Sequence, residues 1–60
     1  MKTYEVQGRM IPCYPEEEAL MKLNNCPPNA EVIVWDGRDI VEVTTVEDKI
    51  EEITEELNAD

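Results

Sequence analysis

AEVIVWDGRDIVEVTTV, residues 30 to 46, is two runs of β-branched residues on either side of Asp36-Gly37. An Asp-Gly pair between such runs supplies the positive-φ positions of a type I′ turn, so the segment predicts a β-hairpin. With Asp36-Gly37 as the loop, Trp35 pairs with Arg38, Val34 with Asp39, Ile33 with Ile40, Val32 with Val41, Glu31 with Glu42 and Ala30 with Val43. One face then carries Ala30, Val32, Val34, Val41 and Val43. The other carries Ile33, Trp35, Arg38 and Ile40, bordered by Glu31 and Glu42, so both faces are apolar.

A chain this short can cover only one of them. Sixty residues make a single domain, residues 1 to 60, and a domain of that size buries only about 60% of the surface its unfolded chain exposes. The hydrophobic fraction is 42%, with no Phe and only one Trp and two Tyr, so the core is built from aliphatic side chains. Fifteen acidic residues against five basic ones leave a net charge of −10. That charge repels nucleic-acid phosphates and anionic membranes and favours basic protein partners. No apolar run is long enough to span a bilayer, and Met1-Lys2-Thr3-Tyr4-Glu5 lacks the features of a signal peptide, so the expected location is the cytoplasm.

Outward from the hairpin, Thr3 to Gln7 alternate polar and apolar as a short strand, with Tyr4 and Val6 on one face. Gly8 ends or bulges this strand, and Arg9-Met10-Ile11 either continues it or begins the crossover. A helix begins at Pro15, with Glu16, Glu17 and Glu18 in its first turn and Ala19, Leu20 and Leu23 on one face. Asn24-Asn25 stops it, and Cys26-Pro27-Pro28-Asn29 is a stiff linker back to the hairpin. The clearest helix is the last, where Val46, Ile50, Ile53 and Leu57 form one apolar stripe. Thr44 with Glu47, or Thr45 with Asp48, caps it. The predicted fold is α+β, a small β-α-β-β-α domain whose three-stranded sheet has two helices on one face. Its core places Tyr4, Val6, Val32, Val34, Val41 and Val43 beneath Leu20, Leu23, Ile50, Ile53 and Leu57.

Chemical sites are scarce. The chain has neither His nor Ser, and neither Cys13 nor Cys26 has an evident base, so an enzyme is not expected. Two thiols without His make no zinc site, and they are expected to be reduced and partly buried. Asp36, Asp39 and Glu42 lack the spacing of a calcium loop, so neither metal nor cofactor is expected. Two surfaces remain for binding protein. The first is Ile33, Trp35, Arg38 and Ile40, because Trp and Arg anchor many interfaces; a Trp35/Arg38 cation-π pair that only shields the hairpin, or a covering helix, would account for it equally. The second is the acidic face of the last helix, where Glu51, Glu52, Glu55 and Glu56 stand with Glu47 and Asp48 around Lys49. This reads as a solvated face or as a docking surface for a basic partner.

From Glu18 to Val46, EALMKLNNCPPNAEVIVWDGRDIVEVTTV resembles a pattern in small bacteriophage-encoded accessory proteins. In that pattern a short helix with spaced Leu residues leads through Pro-Pro-x-Ala-Glu-Val-x-Val into a hairpin. The resemblance covers about half the chain and implies a small host-interacting phage product, of a class that includes inhibitors of host defence and of host enzymes; it carries over no functional residues. The expected function is therefore an acidic phage-type protein that binds and inhibits or adapts a host protein, basic or nucleic-acid-handling, as a homodimer. A nucleic-acid mimic whose carboxylate rows fill a phosphate-binding groove is the alternative, and an antitoxin-like or assembly module the third reading.

Overall fold

The computed structural model describes residues 2–59. The elements are β1 (Lys2–Val6), β2 (Arg9–Pro12), α1 (Glu16–Asn24), β3 (Glu31–Asp36), β4 (Asp39–Thr45) and α2 (Val46–Asn58). The strands form one four-stranded sheet in the order β2-β1-β3-β4, with every neighbouring pair antiparallel. The expected three-stranded sheet is thus corrected by one strand. Its cause is Gln7-Gly8, whose φ values of 51° and 79° close a tight hairpin between Val6 and Arg9. Two successive positive-φ residues are the mark of a type I′ turn, and Gly8 carries no Cβ to oppose it.

The central hairpin forms, but its loop lies one residue later than expected. Asp36 pairs with Asp39 and leaves Gly37-Arg38 as the loop, with Gly37 at φ 65°. A single positive φ at the first central position belongs to a type II′ turn. Asp36 stays in the strand, where it also faces Lys2 of β1. Trp35 therefore lies opposite Ile40, and a bulge between Val34 and Trp35 puts Glu42 opposite Val34, Val43 opposite Ile33 and Thr44 opposite Val32. One extra residue flips every side chain beyond it. Glu42 and Thr44 consequently turn toward the helices, while Val41 and Val43, expected in the core, are 53% and 58% exposed.

Both helices pack on the face that carries Val6, Ile11, Val32 and Val34, which are buried with Ala19, Leu23, Ala30, Val46 and Ile53. Tyr4, Leu20 and Ile50 pack at the margin, whereas Leu57 is 39% exposed and outside the core cluster. The α1 helix starts after Pro15, the three glutamates fill its first turn, and it ends where the Asn25 N–H donates to the Lys22 carbonyl and the Cys26 N–H to the Leu23 carbonyl. The α2 helix follows β4 without a loop. Thr45 Oγ1 accepts from the Asp48 N–H at 3.3 Å, the second of the two caps the sequence allowed. The Val46 and Glu47 N–H groups donate to the carbonyls of Ala30 and Pro28, which ties the helix start to the linker before β3. No helix among the described residues is long and apolar enough to cross a membrane.

Candidate protein-interaction surface

Strand alternation sends Ile33 and Trp35 to the side opposite the buried Val32 and Val34, and neither α1 nor α2 covers that side. Register extends the patch across all four strands in two rows. One runs Pro12, Thr3, Trp35, Ile40; the other runs Met10, Glu5, Ile33, Val43. Met10, Ile40 and Val43 are exposed, and Ile33 and Trp35 are half-buried against their neighbours. The one carboxylate inside the rows is Glu5, on a central strand. Trp35 Nε1 donates to Glu5 Oε1 at 2.9 Å across the diagonal between β3 and β1. This bond ties the indole N–H on β3 to a carboxylate on the neighbouring strand.

The opposite side of the molecule is acidic and partly built around a buried cation. Lys49 is only 3% exposed, and its ammonium donates to Glu42 Oε1 at 3.0 Å and to Glu52 Oε2 at 2.9 Å. It also lies 5.6 Å from the centroid of the Tyr4 ring, a cation-π contact. These groups line a polar crevice of about 110 Å³ that also takes in Cys13, Tyr14 and Glu56. Burial pulls the Lys49 ammonium down, but its hydrogen bonds to Glu52 and Glu42 and their charges outweigh it and set the group above its ordinary value. Desolvation, and next the adjoining Cys13 thiol, push the Tyr4 phenol well up; desolvation likewise raises Cys13. Cys13 and Cys26 are both free thiols.

All three shifts have one sign for stability. Tyr4 and Cys13 hold their protons more tightly folded than unfolded, so as pH climbs past their ordinary 10.0 and 9.0 the unfolded chain ionises first and gains. Lys49, raised above its ordinary 10.5, contributes stability that is whole below that value and is lost as pH rises through the folded one. Urea midpoints should therefore be insensitive to these groups at neutral pH and fall once pH exceeds 9.0. Tyr4→Phe should remove the part of the decline that begins near 10.0. An alkaline limb unchanged in both Tyr4→Phe and Cys13→Ala would show that neither of these two groups causes it.

The residues singled out by sequence do not form one site. Ile33, Trp35 and Ile40 share the open sheet face, as expected. Arg38 does not join them, because the shifted loop puts it in the turn, and Trp35 bonds Glu5 instead of meeting a guanidinium. Glu51, Glu52, Glu55 and Glu56 lie on the other side of the molecule and are themselves divided. Glu52 and Glu56 line the crevice, whereas Glu51 and Glu55, one and three positions along a 100° per residue helix, point away from the sheet. Sequence reasoning missed Glu5 and Met10, whose membership depends on strand pairing. It also missed Lys49, although its place between Val46 and Ile53 put it on the apolar stripe. No group of three or more metal-ligating side chains is assembled among the described residues. No family model, curated protein or solved structure matches the chain.

Proposed function

We propose that this chain is a small acidic protein-binding module, an inhibitor or adaptor of the kind bacteriophages direct at host proteins, and not an enzyme. The observation that carries this reading is the apolar sheet face centred on Trp35, which the chain's own helices leave uncovered. An uncovered Trp on a rigid sheet is the kind of anchor that supplies most of an interface's binding energy. The carboxylates of α1 and α2 on the far side set the sign of the long-range field and draw in a basic partner. Such a module would act in the cytoplasm.

A nucleic-acid mimic is the second reading, favoured by Glu47, Glu51 and Glu55, exposed at four-residue intervals, which on a helix is a rise of about 6 Å per carboxylate. Capture from a host lysate by the tagged chain, by Trp35→Ala and by Glu51→Gln/Glu55→Gln separates the two. The first reading expects a retained protein that Trp35→Ala releases about tenfold or more, while the glutamine variant mainly changes the salt dependence. Retention that survives Trp35→Ala and vanishes in the glutamine variant would transfer the function to the helix. If none of the three retains a protein above background, the binding reading fails.

A further inference from the structure

We infer that Glu5 and Trp35 together form a seat for an arginine side chain, carried on an apolar segment of a basic partner that lies across the open sheet face. This inference rests on the protein-binding reading and names the chemistry of its contact.

Glu5 sits on a central strand with Met10 beside it on β2 and Ile33 beside it on β3, so any partner that covers the face must also cover this carboxylate. One of its oxygens is engaged by the Trp35 indole N–H. Lys22 pairs with Glu18 and Lys49 with Glu42 and Glu52, and neither of these ammonium groups pairs with Glu5. A carboxylate sealed under apolar atoms without a counter-charge is strongly unfavourable, whereas one that meets a cation there makes a short charge-assisted contact. The occupant of this face therefore has to bring a cation to Glu5.

A second copy of the chain does not supply one. Its matching face would bring another Glu5 and no basic side chain within the two rows. The net charge of −10 adds to the preference for a basic molecule. Guanidinium suits the seat better than ammonium. It can lie flat on the indole, whose orientation the Glu5 bond fixes, and still direct N–H groups to the second carboxylate oxygen. Ile33 and Val43 on one side, and Ile40 on the other, offer aliphatic contact to the residues that flank it.

The probe is an amidated pentapeptide, Leu-Arg-Val-Arg-Ile, beside its citrulline analogue, which keeps the shape and removes the charge. The chain has one Trp, so its indole N–H resonance reports the site without ambiguity. The arginine peptide should shift that resonance saturably at millimolar concentration, and both the citrulline analogue and Glu5→Gln should weaken binding by about tenfold or more. Glu5→Gln keeps an acceptor for the indole, so the sheet stays intact, which circular dichroism checks. Equal binding of the citrulline peptide, shifts confined to residues 47–56, or no saturable shift would each overturn the seat. So would light scattering that finds a dimer whose interface buries Trp35. A lysate partner that depends on Trp35 but tolerates Glu5→Gln would sink the seat and leave the binding reading standing; loss of dependence on Trp35 would sink both.

Discussion

Leu23→Ala is expected to destabilise the protein by about 3 kcal/mol and to leave much of it unfolded in water. Leu23 has no exposed surface and is among the largest fully buried side chains, with Val6, Val32 and Val46. It projects from α1 into the layer where the helix meets the sheet and α2, so the lost methyl groups leave a void that backbone on several sides cannot close. Domains of this size rarely command more than about 3–5 kcal/mol in total, so a single core truncation consumes most of it. Met21→Ala, two residues earlier on the same helix but 64% exposed, should change stability by less than about 0.5 kcal/mol. Urea unfolding of the two variants beside the parent makes the comparison. A Leu23→Ala protein within about 1 kcal/mol of the parent would mean that α1 is not the lid of this core.

Much of that core was readable because helical periodicity is a local property. The stripe of Val46, Ile50 and Ile53, the placement of Leu23 and the Thr45 cap depend only on residues a few positions apart. The sheet was harder, since its decisive events are pairings between distant segments. The Gln7-Gly8 turn had a local signal in its Gly, yet the strand that follows it has only four residues, Arg9 to Pro12, too few to show an alternation of its own. The Asp-Gly pair indicated a hairpin correctly and its loop wrongly. The extended conformation of Asp36 is secured by β1 on its other side, and β1 is remote in sequence.

The bulge on β4 had no local cue at all, and it decided the fate of Val41 and Val43. A two-residue shift in pairing would have preserved their face; the single extra residue reversed it. The open apolar face survived the error because Trp35 and Ile40 lie before the bulge, where parity still holds. Arg38 dropped out and Glu5 came in for the same reason, since which charge stands beside the indole is set by strand order and register together.

Lys49 presents the other large effect, and the direction depends on which end of its ion pairs is changed. Glu42→Gln/Glu52→Gln leaves an ammonium that is 3% exposed with no carboxylate in contact. Removing the partners of a buried charge costs roughly 3 kcal/mol or more, because the desolvation already suffered is no longer offset. Lys49→Met removes the cation instead. Glu42 and Glu52 have side chains 42% and 50% exposed, so they can turn to water, while the methionine keeps the aliphatic contact with Tyr4 and Ile53 along the stripe. That variant should lie within about 1 kcal/mol of the parent, even though it makes the chain more acidic. Combining all three substitutions should recover most of what the double glutamine variant loses, since the stranded ammonium is then gone; the residues are in contact, so the effects must not add. If Lys49→Met proves as damaging as the double variant, and the combination no better, then the ammonium would be a net stabilising tie between α2 and β4 and not a buried charge that its two carboxylates merely neutralise.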